Sequence, residues 1–426
     1  MKFRYRNKDE MKDSGVEWLG KIPQNWNIKK TKHLFILKNS KSFDENPVVL
    51  SLTQKGLKIR DISKNEGQLA SSYIGYIKVN KNDLILNPMD LISGYADKSD
   101  IEGVISPAYI IFTERENSKL CNNYYKYYFQ MHYHNNFLFP WGEGVSFQHR
   151  WTLKNETFLN LPIIYSNNIF EQKKIGDFLD KKTAEFDSII SKKEALIEKL
   201  EEAKKSLISE VVTGKVKVVK TSDGYELVQR KKEEMKNSGV EWLGYIPREW
   251  NIKKIKYVSS LKSGESITSD NIRDDAKYPV YGGNGLRGYT DRFTHKGKYI
   301  LIGRQGALCG NINYTNDEFW ASEHAIVVNP LLKVDTLWLG ELLRSMNLNQ
   351  YSISAAQPGL AVGMIENLSI PFIEYNQQVV ISDFINKKIL EIKTTVEKTK
   401  QQIEKLKEAK QSLISEAVTG KIEILE

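Results

Sequence analysis

The chain has 426 residues, 40% of them hydrophobic and 27% charged, and a net charge of +9 at pH 7. This length allows two or three domains, and the composition is ordinary for a soluble globular protein. The N-terminal sequence MKFRYRNKDE lacks the apolar stretch of a signal peptide, and no apolar run is long enough to span a bilayer. We therefore expect a cytosolic protein. Its basic charge suits nucleic acid or another anionic surface, although charge alone is a weak sign.

Two blocks of the sequence occur twice. Residues 11–34 (MKDSGVEWLGKIPQNWNIKKTKHL) and 235–258 (MKNSGVEWLGYIPREWNIKKIKYV) are identical at 17 of 24 positions. Residues 197–216 (IEKLEEAKKSLISEVVTGKV) and 403–422 (IEKLKEAKQSLISEAVTGKI) are identical at 16 of 20. The stretches between the paired blocks do not resemble each other. A duplicated frame with two unlike inserts suggests a protein that reads two different things at a fixed separation.

The first repeated block, with its SGVEWLG, IP and W elements, is interpreted as structural. Its apolar residues are predicted to anchor a globule, and core packing is the favoured role for both copies: Trp18, Pro23, Trp26 and Ile28 in the first, and Trp242, Pro247, Trp250 and Ile252 in the second. The inserts, about 35–160 and 259–370, contain short β-type runs and are predicted to be mixed α/β globules. The aromatic segment 124–137 is predicted to be a short helix.

Two long amphipathic helices are predicted, each ending at a repeated Thr-Gly pair, Thr213-Gly214 and Thr419-Gly420. Each should have about 40–45 residues and a heptad seam, with a polar interruption at Lys193 in the first. Asn168 and Glu171 resemble a capping box before the first helix. The predicted seam residues are Phe186, Ile189, Leu196, Leu200 and Leu207 in the first helix, and Ile392, Val396, Ile403, Leu406 and Leu413 in the second. We favour antiparallel pairing within one chain over pairing of each helix with another chain.

These elements predict a mixed α/β fold, with two globular domains joined by two long antiparallel coiled-coil helices and internal pseudo-two-fold symmetry. The predicted boundaries are 1–165 for the first globule, 166–214 for the first helix, 215–234 for an exposed linker with a Ser-Asp-Gly turn, 235–372 for the second globule and 373–426 for the second helix.

The sequence patterns that could indicate catalysis or cofactor binding are incomplete. Residues 283–288 (GNGLRG) match the GxGxxG pattern, but the following residues indicate a turn and a strand rather than the helix that a dinucleotide site requires. No Walker A sequence and no nucleophile with His and carboxylate partners is recognisable. Cys121 and Cys309 have no CxxC partner, and Cys121 with His132 and His134 lacks a fourth ligand, so free thiols and no metal site are predicted.

Taken together, these features resemble the specificity (S) subunit of type I restriction–modification systems over nearly the whole chain. The resemblance rests on the two SGVEWLG-x-IP-x-x-W boxes, the two EAK-x-SLISE-x-VTGK helix ends and motifs of the inserts. The insert motifs are Leu50-Ser-Leu-Thr-x-x-Gly56 with Arg60-Asp61 and Ser106-Pro-Ala-Tyr109, and Tyr278-Pro-Val-Tyr-Gly-Gly-Asn-Gly285 with Gly303-Arg-Gln-Gly306.

The resemblance implies that each insert is a target recognition domain reading one half of a bipartite, asymmetric site in double-stranded DNA. The paired helices would set the unread spacer and dock two modification (methyltransferase) subunits, and restriction (translocase and nuclease) subunits would join them. S-adenosylmethionine, ATP and Mg would be held by those partners, which would methylate adenine at N6, while this chain would be non-catalytic by itself.

The DNA-reading residues are predicted from chemistry, because base edges favour Arg, Lys, Asn, Gln and small polar groups on loops. The candidates are Lys55, Lys58, Arg60, Tyr95, Tyr109, Ser146, Gln148, His149 and Arg150 in the first insert, and Tyr281, Asn284, Arg287, Tyr289, Arg304, Gln305 and Gln357 in the second. Two alternatives remain open: a free-standing coiled-coil DNA-binding regulator acting as a homodimer on a symmetric operator, and an enzyme with its active site hidden in one insert.

Overall fold

A computed structural model describes residues 2–64, 70, 72–116, 118–144, 151–306, 308–352 and 359–425. The chain forms two compact units. The first unit comprises residues 1–193 and 400–426, and the second comprises residues 194–399. The predicted boundaries separated the helices from the globules, whereas each compact unit contains one globule together with half of each long helix.

The two longest helices have 44 residues each, in agreement with the predicted length. Good helix formers fill them, and neither contains proline, which would remove a backbone donor. In chain order the helices are α1 (Thr31–Leu34), α2 (Asn122–His134), α3 (Asn155–Asn160), α4 (Ile169–Val212), α5 (Thr336–Ser345), α6 (Val362–Glu366) and α7 (Tyr375–Val418). Among the described residues, no helix is long and apolar enough to cross a membrane.

The strands before α4 are β1 (Phe3–Tyr5), β2 (Met11–Asp13), β3 (Lys21–Pro23), β4 (Trp26–Lys30), β5 (Phe35–Leu37), β6 (Leu50–Thr53), β7 (Gly56–Ile59), β8 (Ile77–Val79), β9 (Leu84–Leu86), β10 (Ala96–Lys98), β11 (Gly103–Ile105), β12 (Ile110–Glu114) and β13 (Pro162–Ser166). The strands after α4 are β14 (Val216–Thr221), β15 (Gly224–Gln229), β16 (Met235–Asn237), β17 (Tyr245–Pro247), β18 (Asn251–Lys254), β19 (Ser259–Ser263), β20 (Tyr278–Gly282), β21 (Gly285–Thr290), β22 (His295–Lys296), β23 (Tyr299–Gly303), β24 (Ile312–Thr315), β25 (Glu318–Ala321), β26 (Ala325–Pro330), β27 (Ser369–Phe372) and β28 (Ile422–Ile424).

In the first unit, the main sheet has the antiparallel order β10-β9-β12-β5, and α2 packs against it. The aromatic segment 124–137 is helical through His134, as predicted. Its buried rings form the core with strand residues; Phe35, for example, meets Phe112 and Tyr125 edge to face at centroid distances of 5.2 and 5.1 Å. This aromatic core packs the sheet against the parts of α4 and α7 that belong to the first unit.

In the second unit, two four-stranded sheets replace the single main sheet of the first. Their orders are β19-β26-β23-β24 and β21-β20-β25-β22, and the second contains one parallel pair, β20 with β25. Helix α5 packs against β23 and β24. The two inserts therefore differ in topology as they differ in sequence, while the repeated blocks that frame them form the same pairs of strands, β2 with β3 and β16 with β17.

Each copy of the first repeated block packs against the helix end that belongs to the other copy of the repeat. In the first unit, the block at 11–34 packs against the helix end at Val418, and in the second the block at 235–258 packs against the helix end at Val212. The contact is close at the glycine that ends each helix. A Cβ atom added to Gly420 would lie 2.5 Å from Pro23, and one added to Gly214 would lie 2.7 Å from Pro247.

Both glycines adopt the left-handed backbone conformation expected for a helix stop, with φ of +76° at Gly214 and +70° at Gly420. The anchor tryptophans beside them, Trp26 and Trp250, are 0% and 3% exposed. The predicted packing role of the repeated blocks is therefore confirmed.

The long helices run antiparallel to each other, as predicted. In the first unit, Asp187 of α4 accepts from Lys410 of α7 at 2.7 Å, and Lys193 donates to Gln402 at 2.7 Å. As the residue number rises along α4, it falls along α7, which defines an antiparallel pair. In the second unit, Ile208 of α4 shares a core cluster with Ile385 of α7.

The predicted seam residues of the two long helices differ in exposure. Val396 and Ile403 of α7 are each 5% exposed. By contrast, Ile189 and Leu196 of α4 are 44% and 45% exposed, and their neighbours Ile190 and Ile197 are more buried. Both positions have an adjacent apolar residue, and a heptad pattern alone does not decide which of two adjacent side chains is the more buried. The other predicted seam residues, Phe186, Leu200, Leu207, Ile392, Leu406 and Leu413, are half-buried.

The predicted linker 215–234 is largely an ordered β-hairpin. Strands β14 and β15 pair from Val216 with Gln229 to Thr221 with Gly224, around the predicted Ser-Asp-Gly turn. The first unit has an equivalent pair, β1 with β28, in which Tyr5 faces Ile422. Because β14 and β28 each begin two residues after a glycine stop, these pairs are a further repeated part of the frame.

Candidate nucleic-acid interface

The β6–β7 hairpin presents two of the predicted DNA-reading lysines in the first unit. Lys55 lies in its turn and Lys58 on β7, and both are exposed. The turn is fixed at Gly56, which has φ of +101° and lies against the Asp97 carboxylate. That carboxylate accepts from the Leu57 backbone at 2.7 Å, and burial nevertheless raises its pKa above the usual range. The hairpin thus presents two exposed cations.

The remaining described candidates of the first unit lie around the same hairpin. Arg60 follows β7, and its backbone donates to Val49 at 2.8 Å. Tyr95 and Tyr109 pack against the small core cluster that includes residues of β6. Burial raises the pKa of both hydroxyls, and the Arg60 charge partly offsets this effect at Tyr109. The structure therefore places Arg60 near Tyr109, with both tyrosines protonated at neutral pH.

Five predicted residues lie outside the described part of the chain. They are Ser146, Gln148, His149, Arg150 and Gln357. Their roles remain predictions from the sequence.

In the second unit, three chain segments meet at the tip of the β20–β21 hairpin. The tip, Gly283 and Asn284, rests on the end of β23: a Cβ atom on Gly303 would lie 2.1 Å from the Gly283 oxygen. Gly303 in turn pairs with the turn before β24, where it accepts from Gly310 at 2.7 Å and donates to Asn311 at 2.8 Å. Only glycine at position 303 permits this approach. The glycines of 283–288 belong to the hairpin of β20 and β21. As predicted, the GxGxxG match is followed by a strand and not by a helix.

The predicted residues Arg304 and Gln305 belong to this junction. Arg304 is half-buried, and its backbone donates to His324 at 2.8 Å and accepts from Leu360 at 2.9 Å. Gln305 is exposed and forms an isolated bridge with Gly359. Both side chains are therefore carried by a backbone that is bonded on two sides.

The other predicted residues of the second unit lie along the hairpin strands. Arg287 is exposed on β21, and its aliphatic stem covers Gly282. Tyr281 packs edge to face on Phe319 at a centroid distance of 5.9 Å. Burial, with a smaller contribution from nearby Tyr289, raises the pKa of Tyr281. Tyr281 is thus partly a core residue, while Arg287 and Asn284 face solvent.

Two groups near the junction were missed at the level of sequence. Asn311 is exposed, and its Nδ2 donates to Asn284 Oδ1 at 3.4 Å. Glu323 Oε1 contacts His324 Nε2 at 3.1 Å, and Glu323 Oε2 is buried without a hydrogen-bond partner among the described residues. The pair Asn311 and Asn313 at the start of β24 was the available signal for the first group. The sequence carries no signal for the buried Glu323 oxygen.

The described residues contain no group of three His, Cys, Asp or Glu side chains that could hold a metal ion. His132 is buried among aromatic rings, including Trp18 at a centroid distance of 4.7 Å, and its Nδ1 bonds the Tyr128 carbonyl at 2.8 Å. Burial lowers the pKa of His132 to about 4, so its ring is neutral at pH 7. Cys309 is buried and donates to Asn349 at 3.1 Å. His132 and Cys309 are therefore held by packing and hydrogen bonds within the protein.

Comparison with known proteins identifies the domain that contains the second junction. Residues 247–405 match the model of the type I restriction modification DNA specificity domain. Over 139 residues the chain is also 39% identical to the type I restriction enzyme EcoprrI specificity subunit of Escherichia coli. That match covers 32% of this chain and 35% of the relative, so it spans about a third of the relative's length.

A solved structure extends the likeness in fold to almost the entire chain. One chain from a study of complex assembly and conformational transition in the type I R-M system superposes with a TM-score of 0.70 at 11% identity. The superposition covers 93% of this chain and 98% of that one. The likeness in fold therefore reaches beyond the matched specificity domain to both units.

Proposed function

We propose that this chain is the DNA-recognition subunit of a type I restriction–modification complex and that each unit reads one half of a bipartite, asymmetric site. The observation that carries the proposal is the pair of unlike loop clusters built on one repeated frame, one of them within the matched specificity domain. Identical frames with identical inserts would suit a symmetric site. Unlike inserts suit two different half-sites.

The exposed chemistry of the two clusters supports contact with DNA. Lys55 and Lys58 in the first unit and Arg287 in the second are cations on exposed hairpins, which suits phosphate or base-edge contacts. Asn284 and Gln305 add amides, which can bond both the donor and the acceptor of an adenine edge.

In this proposal, the chemistry belongs to partner subunits. Two methyltransferase subunits would hold S-adenosylmethionine and modify adenine at N6, and restriction subunits would use ATP and Mg. This chain would contribute recognition and the dock for those partners. Assays of the purified chain alone for nuclease and methyltransferase activity separate this proposal from an enzyme with its own active site.

The direct test is selection of bound duplexes from a random-sequence pool, with the chain in complex with the methyltransferase subunit of its system. We expect a two-part, asymmetric motif with a constant number of unread base pairs between the parts. A single palindromic motif bound by the chain without a methyltransferase would instead support the homodimeric regulator.

The long helices are proposed to set the unread spacer. Four residues inserted into both helices, after Lys193 and after Thr399, lie where the two units divide and would lengthen each helix by about 6 Å. Because base pairs rise about 3.4 Å, the spacer should grow by roughly two base pairs while both half-sites stay the same. The same pool selection measures this change, and altered half-sites with an unaltered spacer would contradict it.

A further inference from the structure

Two asparagine side chains from separate turns meet at the junction of the second unit. Asn284 occupies the tip of the β20–β21 hairpin, and Asn311 ends the turn before β24. Both are exposed, and their amides are joined by the bond from Asn311 Nδ2 to Asn284 Oδ1 at 3.4 Å. The segments that carry them are held together by the backbone bonds of Gly303, so the two amides have fixed bases.

A left-handed backbone does not explain the choice of asparagine at either position. Asparagine is one of the few residues that tolerate a positive φ in a turn. Among the described non-glycine residues, positive φ occurs at Asn82, Lys119, Asn136 and Asn347, and neither Asn284 nor Asn311 is among them. Their backbone conformations are therefore open to other residues, which leaves the side chains to be accounted for by what they contact.

A neighbouring amide has an unused donor. Asn313 lies within β24, two positions beyond Asn311. Its Oδ1 lies 3.1 Å from the position of a Cβ atom on Gly285, and its Nδ2 is buried without a hydrogen-bond partner among the described residues. A buried donor without a partner is costly, and such groups in a native fold call for a functional or structural explanation.

The paired amides offer a specific pattern of donors and acceptors. The bond to Asn284 uses one of the two N–H groups of Asn311, so the second N–H and the Oδ1 of Asn311 remain for a ligand. Exchanging oxygen and nitrogen in both side chains leaves the same pattern. In the major groove, adenine presents an acceptor, N7, beside a donor, the N6 amino group, whereas guanine presents two acceptors. The pattern therefore complements adenine.

We propose that Asn311 reads an adenine in the half-site recognised by the second unit, and that Asn284 is the positioning residue that orients it. This inference rests on the proposed function and adds the residue and the base to it. Arg287, exposed on the same hairpin, supplies a cation for the adjoining phosphate backbone.

The test is pool selection with the full chain in its methyltransferase complex, scored as base preference at every motif position. Asn311→Ala should lower the preference for adenine at one position of one half-site by about 5- to 150-fold. Asn311→Asp keeps the acceptors and loses the donor, so it should move that preference toward cytosine, whose N4 amino group is a donor. Asn284→Ala should weaken the preference at the same position.

Asn316→Ala is the matched control, because Asn316 is an exposed asparagine in the turn at the other end of β24; it should leave the motif unaltered. The other half-site serves as an internal control for folding and assembly. A two-part wild-type motif that Asn311→Ala leaves unaltered would overturn this inference alone. A wild-type complex without a two-part motif would overturn the proposed function and this inference together.

Discussion

Replacing Gly420 by alanine should destabilise the first unit by about 2–5 kcal/mol. The left-handed backbone at this position costs an alanine about 1–2 kcal/mol, and overpacking adds about 1–3 kcal/mol. The overpacking arises because the new Cβ atom would lie 2.5 Å from Pro23 and 3.0 Å from Trp26. Urea unfolding, with hydrogen exchange followed peptide by peptide, measures the loss and assigns it to the unit concerned.

Gly20→Ala separates the two causes. Gly20 lies in the same unit and has a similar φ of +64°, but a Cβ atom there would meet nothing within 4 Å. It should therefore lose only the backbone contribution of about 1–2 kcal/mol. Gly214→Ala and Gly244→Ala form the corresponding pair in the second unit, with φ of +76° and +67°. Equal losses for the two members of a pair would refute the exchanged packing of helix ends and repeated blocks as a source of stability.

Replacing Gln378 by leucine should cost the second unit about 2–4 kcal/mol. Gln378 is fully buried near the start of α7 and joins two elements: its Nε2 donates to the Ile373 carbonyl at 2.9 Å, and its Oε1 accepts from the Asp335 backbone at 2.8 Å. Leucine fills the space but leaves both backbone groups without a partner, at about 1–3 kcal/mol for each buried group. Because Asp335 is only partly buried, the expected loss is smaller than the sum of two full penalties.

Gln377→Leu is the matched control, since Gln377 is the exposed neighbour on the same helical turn. It should change the free energy of unfolding by no more than about 0.5 kcal/mol. The first unit contains the same arrangement at Gln172, which donates to Ser166 and accepts from Cys121, both at 2.8 Å. Gln172→Leu should thus reproduce the loss in the first unit. Similar stabilities for Gln377→Leu and Gln378→Leu would contradict this role.

The repeated frame could be predicted from sequence because its signals are local. The helices, their glycine stops at Gly214 and Gly420 and the anchoring tryptophans follow from composition and spacing. The exchange between copies could not be predicted, because the two helix ends are nearly identical and either one would fit either block. The same limit applies to Gln172 and Gln378, whose partners Cys121 and Asp335 are distant in sequence.

Two local patterns are modified by tertiary contacts. The heptad pattern selects Ile189 and Leu196, whose side chains are 44% and 45% exposed, while their neighbours Ile190 and Ile197 are more buried. Asn168 caps α4 as expected by accepting from Glu171 N at 3.2 Å. The Glu171 carboxylate, however, accepts from Trp26 Nε1 at 2.8 Å and pairs with Arg6 at 2.7 Å. A buried partner from the repeated block thus replaces the local bond of a capping box.

The sequence predicted which residues form the candidate site better than it predicted how they are arranged. Exposed Lys55, Lys58, Arg287 and Asn284 were recognised from residue type and from their place on loops. Asn311 was missed because its significance depends on meeting Asn284 across two turns. Pairings between remote loops are set by the packing of the whole unit, and a single sequence carries little information about them.

The central claim is that the unlike inserts read different DNA sequences while the repeated frame fixes their separation. The most direct measurement is a genome-wide map of N6-methyladenine in cells that express the methyltransferase subunit with and without this chain. We predict methylation only when the chain is present, at a two-part asymmetric motif with a constant spacer. Methylation that does not depend on the chain, or a motif that is palindromic or in one part, would contradict the account.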